Sequence, residues 1–291
     1  MSRRFLVLVH PSAGGGRALA RLPLATAALE RLGAPPRVVQ TRSIDHAVSQ
    51  AADAVEAGET VAALGGDGLL RPLASVLRNT GSALAILPGG RGNDFARVLS
   101  IPTDPVQSAR VAVEGHEQLI DMAVLNGRPY LGVASFGCDS DANRIANEAR
   151  FVRGNLVYLY AGLRALVAWR PACFTVTVDG ERHEFAGYAV AVANSRAYGG
   201  GMLIAPQAEL DDGELDVVMT SSMSKLRALI TLAKVFKGAH INARSVHTLR
   251  GSAVELTADR VFDIYADGDP ISALPATVRV EPRCLRVIVP R

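Results

Sequence analysis

The segment that decides the fold runs Val61-Ala62-Ala63-Leu64-Gly65-Gly66-Asp67-Gly68 and continues into Leu69–Arg78. Its four leading apolar residues predict a short buried strand, and the apolar spacing of Leu69–Arg78 predicts a helix. Because the residues between them are mostly glycine, the strand can pass into the helix through a tight turn. A strand that leads through such a turn into a helix is typical of a βα unit, which indicates a parallel sheet.

The same alternation extends through the start of the chain and predicts an α/β domain at residues 1–121. Strands that alternate with helices form parallel sheets with helices on both faces. The predicted strands are Phe5–Val9, Pro36–Gln40, Val61–Leu64 and Ala83–Leu87. The predicted helices are Arg17–Leu32, Asp45–Ala57, Leu69–Arg78 and Asn93–Leu99.

Beyond this domain, short strand patterns and turn pairs such as Asn126-Gly127 and Asp179-Gly180 replace the alternation. They predict a mainly antiparallel β-sandwich at residues 122–291, from which roughly the last ten residues could return to the first domain. The predicted strands are Met122–Leu125, Tyr130–Ser135, Phe174–Val178, His183–Val192, Leu215–Met219, Val254–Thr257, Phe262–Ala266, Thr277–Val280 and Leu285–Val289. Helices are predicted near Ile145–Arg170 and Ser224–Lys237.

The composition limits the class of protein. The 291 residues are 49% hydrophobic and 20% charged with a net charge of +3, which excludes a disordered chain and argues against nucleic acid as a partner. Cys138, Cys173 and Cys284 lie far apart and form no zinc motif, so we expect a reducing, cytoplasmic location. No apolar run is long enough to cross a bilayer, although contact with a membrane surface stays open.

The turn Gly65–Gly68 has the composition of a phosphate-binding loop. Glycines let backbone N–H groups approach phosphate oxygens, and the N-terminus of the following helix favours negative charge. Asp67 would repel a phosphate unless a cation lay between them, so the turn also suggests Mg²⁺. The alternative is a structural turn in which Asp67 caps the helix.

Two further glycine-rich turns follow predicted strands. One is Ser12–Gly16, and the other is Pro88–Arg97, which carries Asp94. Ligands of open α/β sheets collect at the carboxyl ends of the strands, where all three turns should lie. Three such turns with two acids favour a nucleotide and metal site over three independent structural turns.

Taken in order, these segments resemble the catalytic family of the diacylglycerol kinases, which includes bacterial lipid kinases and sphingosine kinases. The resemblance covers nearly the whole chain. The segments that carry it are His10-Pro11-Ser12-Ala13-Gly14, Gly65–Pro72, Pro88–Phe95, Asn194 with Gly199-Gly200-Gly201, Leu210–Leu215 and Asp267-Gly268-Asp269.

The resemblance implies a function and a location. It implies an ATP-dependent lipid kinase that transfers the γ-phosphoryl group to a lipid hydroxyl, converting diacylglycerol to phosphatidic acid, with an N-terminal domain similar to NAD kinases and phosphofructokinases. The lipid substrate would be met at a membrane surface, with the protein bound peripherally to the inner face of the plasma membrane. The oligomeric state stays open, with a homodimer as one option.

The resemblance also implies roles for individual residues. Asp267 would be the general base that accepts the proton of the lipid hydroxyl, and Asp67 is its rival for this role. Mg²⁺ would be held by Asp67, Asp94 and Asp269, and a second, structural metal ion by Glu209, Asp212 and Glu214. The residues that would line the nucleotide are His10, Pro11, Ser12, Ala13, Gly14, Thr41, Gly66, Asp67, Gly68, Leu69 and Arg91.

Four positions depart from the family pattern: His10, Leu69, Pro72 and Arg91. We expect Pro72 in the first turn of its helix, where proline is tolerated. Arg91 could either clamp a phosphate or block the site by pairing with Asp67 or Asp94. Pro72 and Arg91 keep open a catalytically dead sensor of nucleotides or lipids. A kinase of another lipid or of a soluble substrate such as NAD is a further alternative.

The apolar segment Leu156–Trp169, with Arg153, Arg164 and Arg170 around it, either packs on the sandwich or contacts a membrane interface. Phe136-Gly137-Cys138-Asp139 matches a family segment where the lipid headgroup would meet ATP. We expect Cys138 to be a small buried residue rather than a nucleophile. The histidines His183, His240 and His247 show no metal-binding spacing and are predicted to lie at the surface.

Overall fold

The structure is a computed structural model that describes residues 3–149 and 156–291. The chain forms two units. The first unit joins Met1–Ile120 to Arg283–Arg291, and the second is Asp121–Pro282. Parallel strands build the first unit and antiparallel strands build the second, which confirms the predicted fold class.

The first unit contains a parallel sheet in the order β2-β1-β3-β4-β17, to which β17 contributes its C-terminal end. Alternate strand residues point to opposite faces, and both Phe5 and its neighbour Leu6 are buried, so both faces are covered. Its strands are β1 (Phe5–Val9), β2 (Arg37–Gln40), β3 (Thr60–Gly65), β4 (Ala83–Pro88) and β17 (Ala276–Val289).

Helices cover this sheet, with α1 packed against α5 and α2 against α3. The helices are α1 (Arg17–Arg31), α2 (Ile44–Glu56), α3 (Asp67–Leu77), α4 (Asp94–Val98) and α5 (Pro105–Glu114). Helix α5 was not predicted from the sequence. It begins at a proline in the first helical position, and the side chain of Asp104 accepts hydrogen bonds from the Val106 and Gln107 N–H groups.

Pro72 lies deeper in its helix than predicted. Since α3 begins at Asp67, Pro72 is beyond the first turn, and the prediction of a first-turn position is wrong. A proline there has no N–H to donate to the carbonyl of residue 68, so one hydrogen bond of the helix is missing at this point.

The second unit is built on the long strand β9, which pairs antiparallel with β8, β7 and β12. Its core contains the buried aromatic residues Tyr130, Phe136 and Phe174. Its strands are β5 (His116–Leu125), whose first residues belong to the first unit, β6 (Arg128–Tyr130), β7 (Val133–Gly137), β8 (Ala172–Val178), β9 (Glu181–Ala193), β10 (Ala197–Tyr198), β11 (Met202–Leu203), β12 (Leu215–Ser221), β13 (Val246–Gly251), β14 (Ala253–Ala258), β15 (Asp263–Ala266), β16 (Asp269–Ala273) and the first part of β17.

Three helices and a 3-10 turn pack on these strands. They are α6 (Cys138–Glu148), α7 (Leu156–Ala168), α8 (Lys225–Val235) and the 3-10 turn Ala239–Asn242. The helix predicted near Ile145–Arg170 is therefore two elements in the described residues, and Arg153 with its neighbours in 150–155 lies outside them. No helix in the described ranges combines the length and apolar character needed to cross a bilayer.

Two strand predictions differ from the structure. The predicted strand Tyr130–Ser135 is interrupted, because Leu131 and Gly132 separate β6 from β7 and donate their N–H groups to a side chain. The predicted strands Thr277–Val280 and Leu285–Val289 form the single strand β17, which continues through Arg283 at a φ of 52°.

Candidate active site

The three glycine-rich turns meet in the first unit, as their position after parallel strands predicted. A Cβ atom added to Gly14 would lie 2.5 Å from the carbonyl oxygen of Gly89, and one added to Gly90 would lie 2.3 Å from the Gly66 Cα. Side chains at Gly14 and Gly90 would collide with backbone, so these turns pack main chain against main chain. The result is a surface of backbone groups at the carboxyl ends of β1, β3 and β4.

Asp67 and Asp94 lie side by side at this surface. The Asp67 carboxylate accepts hydrogen bonds from the N–H groups of Asp94 and Phe95, both at 3.1 Å, at the start of α4. Gly92 lies beside both acids, since a Cβ added to it would be 3.3 Å from an Asp94 oxygen and 3.4 Å from an Asp67 oxygen. Burial raises the pKa of Asp67, and the charge of Asp94 raises it further, while the N–H hydrogen bonds oppose both effects.

A cation that pairs with Asp94 comes from α4. Arg97 Nη1 lies 2.6 Å from an Asp94 carboxylate oxygen, three residues along the helix. The Arg91 side chain is exposed. Arg97 therefore offsets part of the Asp94 charge.

Three other residues predicted to line a nucleotide differ in where the structure places their side chains. His10 Nδ1 lies 3.2 Å from both oxygens of the buried Thr41, so the structure brings these two together at the end of β1. The Leu69 side chain is instead buried and packs within van der Waals contact of Gly65. Leu69 can therefore shape the turn but cannot present its side chain to a ligand.

In the second unit, Asp267 occupies the turn between β15 and β16 with a φ of 53°. Its two carboxylate oxygens accept hydrogen bonds from the Leu131 and Gly132 N–H groups at 2.9 and 2.8 Å. A Cβ added to Gly132 would lie 2.6 Å from an Asp267 oxygen, so only glycine lets the loop approach this closely. The carboxylate is thus held in one orientation.

The loop that holds Asp267 is itself supported by Asn194. The buried Asn194 amide donates to the carbonyl oxygens of Asp121 and Leu131, at 3.1 and 3.0 Å. Asp269 begins β16 and pairs with Ala266 across the same hairpin as Asp267. Asp267 and Asp269 therefore lie two residues apart at the tip of the same hairpin.

The predicted second metal site contains an arginine that the sequence analysis did not single out. Arg250 pairs with Asp212 and lies 3.0 Å from Glu214 and 3.8 Å from Asp216. Burial raises the pKa of Asp216 to about 6, against the opposing effect of Arg250. Among the described residues, no three His, Cys, Asp or Glu side chains form a group able to hold a metal ion.

An apolar cavity of about 140 Å³ lies between α6, α7, α8 and the strands of the second unit. Cys138, Asp139 and His240 are among the residues that line it. Tyr198 donates a hydrogen bond to Asp139, and burial raises the pKa of that carboxyl. Burial also raises the pKa of the half-buried Cys138 thiol to about 12, which makes it a poor nucleophile.

His240 corrects a prediction. It is buried rather than at the surface, and its Nε2 lies 2.9 Å from the Ile204 carbonyl oxygen, to which it donates. Because it is isolated in the sequence, no pattern indicated its burial. Asp139, by contrast, belongs to the Phe136–Asp139 segment that the family resemblance had marked.

Two family models match the chain and together span most of it. One is described as the diacylglycerol kinase catalytic domain and matches residues 4–125. The other is described as the YegS C-terminal NAD kinase beta sandwich-like domain and matches residues 132–289.

Relatives over most of the chain carry kinase names. The chain is 35% identical to the protein named "Diacylglycerol kinase" of Mycobacterium tuberculosis strain H37Rv, over 98% of this chain and 94% of that one. It is 33% identical to the "Probable lipid kinase YegS-like" of Pseudomonas aeruginosa strain PAO1, over 82% and 79% of the two chains.

A solved structure shares the fold. The crystal structure of a diacylglycerol kinase from Bacillus anthracis strain Sterne superimposes with a TM-score of 0.79 at 20% identity, covering 99% of this chain and 97% of that one. The family matches and the close relatives together decide the assignment. The chain belongs to the family of lipid kinases that the diacylglycerol kinase catalytic domain defines.

Proposed function

We propose that the protein transfers the γ-phosphoryl group of ATP to the hydroxyl of a membrane lipid, with diacylglycerol as the substrate and phosphatidic acid as the product. The observation that carries the proposal is the meeting of three glycine-rich turns beside Asp67 and Asp94. Phosphoryl transfer depends mainly on positioning and on charge compensation, and this arrangement suits both. The name of the mycobacterial relative supports the choice of lipid.

The backbone surface fits the triphosphate of ATP. At Gly66 and Gly90, added Cβ atoms would lie 2.9 Å and 2.3 Å from the facing main chain, so glycine lets the two turns pack together. Phosphate oxygens bind to helix N-termini, and α3 begins at Asp67 directly after Gly66. Arg91 is exposed next to these turns, and we propose that it contacts a phosphate.

The residues present also fit Mg²⁺. In kinases this ion is held by one or two carboxylates together with substrate phosphates and water rather than by a complete protein cage. Asp67 and Asp94 supply such a pair. The role of Asp269 as a further ligand stays a prediction. The bound ion would offset the negative charge that builds up on the transferred group.

Asp267 is our choice for the general base. Its carboxylate is held in one orientation by two N–H groups. We propose that it accepts the proton of the lipid hydroxyl as the hydroxyl oxygen bonds to the γ-phosphorus and ADP leaves. The rival Asp67 also accepts two N–H hydrogen bonds, but it sits where Mg²⁺ is proposed, and that proposed role decides our choice. The second metal site at Glu209, Asp212 and Glu214 stays a prediction, because Arg250 supplies positive charge there.

The apolar cavity supports a substrate with an aliphatic chain. An engineered cavity of similar volume in another protein takes one benzene ring, so roughly six carbons of a chain would fit. Its lining from three helices and a sheet gives the chain apolar walls, with the Asp139 carboxyl as a polar group among them. A soluble substrate such as NAD would leave this cavity without a role.

The proposal is tested by transfer of radiolabelled phosphate from ATP to diacylglycerol in mixed micelles, with other lipid alcohols and NAD in parallel. We expect the label on diacylglycerol and its loss in Asp267→Asn. Labelling of NAD alone would identify a soluble-substrate kinase. Absence of any labelling, with ATP still bound, would identify a sensor.

A further inference from the structure

Helix α8 has two apolar faces, and only one of them is covered. Ala228 and Val235 are buried against the second unit. On the opposite side, Leu226, Leu229 and Ile230 are 68%, 40% and 49% exposed, and Phe236 beyond the helix end is 40% exposed. At 3.6 residues per turn these residues form one stripe along the helix.

The stripe continues onto α7. Lys225 donates a hydrogen bond from its ammonium group to the Val167 carbonyl oxygen, which joins the start of α8 to the end of α7. Val167 is 70% exposed and Leu163 is 36% exposed. We call these two residues, with Leu226, Leu229, Ile230 and Phe236, the apolar patch. An exposed apolar patch of this kind on a folded chain marks an interaction surface.

The charge around the apolar patch has one sign. The chain as a whole is nearly balanced, with 31 Lys and Arg against 28 Asp and Glu. Residues 217–254, however, contain no Asp or Glu, and Lys225, Arg227, Lys234 and Lys237 flank the stripe on α8. The charges that this segment places around the apolar patch are therefore all positive.

The apolar patch also lies over the cavity. α7 contributes Gly162 and Leu166 to the cavity lining, and α8 contributes Ala228, Leu232 and Val235. A Cβ added to Gly162 would lie 3.3 Å from Leu232, so the two helices are in close contact at this point. The same pair of helices thus separates the cavity from the apolar patch.

We propose that the apolar patch docks on the surface of an anionic lipid bilayer, with Leu226 and Ile230 inserted among the acyl chains and the flanking cations facing anionic headgroups. Amphipathic helices with cationic flanks bind membranes in this way. A symmetric dimer through the same surface would bring Lys and Arg of one copy against Lys and Arg of the other, which opposes it. The inference rests on the proposed function, because a lipid kinase must meet its substrate at a bilayer.

The test is sedimentation of the full chain, without ATP, with vesicles of phosphatidylcholine alone or of phosphatidylcholine mixed with phosphatidylglycerol. We expect binding to the anionic vesicles that weakens as salt is added. The variant Leu226→Ser with Ile230→Ser removes inserted apolar area, and Lys234→Glu with Lys237→Glu reverses two cations. Each double variant should weaken partitioning by about tenfold or more.

Matched controls come from α1 in the first unit, where Leu24 and Arg31 are also exposed. Leu24→Ser and Arg31→Glu should leave vesicle binding unchanged. The proposal is overturned if both kinds of vesicle bind equally, if the controls weaken binding as much as the double variants, or if the serine variant instead dissociates a dimer in sedimentation equilibrium. Because the assay contains no ATP, its failure is separate from failure of phosphoryl transfer to diacylglycerol in micelles.

Discussion

At the scale of single residues, Asp267 has a structural counterpart in the same unit that allows a controlled test. Asp179 also occupies an Asp-Gly turn, with a φ of 47°, and its carboxylate accepts hydrogen bonds from the Ser252 and Ala253 N–H groups. Both acids therefore fix a loop through backbone donors. Only Asp267 carries a proposed role in proton transfer.

We expect Asp267→Asn to lower kcat by about 10²- to 10⁴-fold with little change in ATP affinity, because the amide cannot accept the hydroxyl proton. Asp179→Asn disturbs a similar turn and should leave kcat near that of the unaltered protein. Initial rates of phosphatidic acid formation and ATP titrations of both variants measure this. Equal losses in the two variants would show that turn geometry, rather than proton transfer, explains the effect.

His240 predicts a pH dependence of folding. Burial lowers its pKa in the folded protein below the value of the unfolded chain, about 6.5, while the hydrogen bond to Ile204 partly opposes this. The unfolded chain then binds the proton more readily, so the His240 contribution to stability is present above about pH 6.5 and is lost as the pH falls. Urea unfolding from about pH 7.5 down to about pH 5 should show this loss.

The variant His240→Gln isolates that contribution. Glutamine can still donate to the Ile204 carbonyl but does not titrate, so its stability should fall less on acidification than that of the unaltered protein. His247→Gln, at an exposed position, is the control and should follow the unaltered protein. If His240→Gln and the unaltered protein lose stability in parallel, the buried imidazole does not govern this part of the profile.

Residues near a strand end could be located from the sequence, and residues fixed by distant contacts could not. Asp67 and Asp94 each follow a strand of a parallel sheet, and this rule alone predicts that they are neighbours. The contact of Asp267 with Leu131 joins residues 136 positions apart. No local pattern encodes such a pairing, and only the family resemblance pointed to Asp267.

At the scale of elements, the contact between the turns that follow β3 and β4 depends on glycine. Gly90→Ala would place a Cβ 2.3 Å from the Gly66 Cα, and neither main chain can yield without separating the turns. We expect a loss of about 1–3 kcal/mol in the free energy of unfolding. The stabilisation of the protein by Mg²⁺ and ATP in thermal unfolding should also disappear.

Gly68→Ala is the matched variant in the same segment. An added Cβ there meets nothing within 4 Å, and alanine in α3 is favoured over glycine by about 1 kcal/mol. Its melting temperature should therefore not fall. A melting temperature for Gly90→Ala equal to that of Gly68→Ala would show that the two turns can separate without loss of stability.

Element boundaries could be predicted where the sequence periodicity was clear. The predictions were wrong where a tertiary contact decides the boundary. Helix α5 carried a start signal, Asp104 followed by Pro105, but its alanine-rich face gives a weak apolar pattern. β6 and β7 were predicted as one strand, since the two N–H groups that interrupt them donate to Asp267 in a distant turn. The interruption is a tertiary effect that strand periodicity cannot indicate.

At the scale of the whole molecule, the end of the chain completes the sheet of the first unit. Arg286 and Val287 pair in parallel with Ala83 and Leu84 of β4. The side chains of Leu285, Val287 and Ile288 are fully buried. The first unit therefore needs residues from both ends of the sequence, and the last nine, Arg283–Arg291, reach it only after the second unit has been made.

Deletion of residues 283–291 should therefore unfold the first unit. Three buried aliphatic side chains stabilise a fold by about 1.5–3 kcal/mol each, which together is comparable with the 5–15 kcal/mol stability of a typical domain. The loss also exposes the edge of β4 to aggregation. Limited proteolysis with mass spectrometry should then release a resistant fragment within 121–282, whereas deletion of Pro290 and Arg291 alone should leave both units protected. If the truncated chain resists proteolysis throughout and still binds ATP, the sheet of the first unit is stable with β4 as its edge strand.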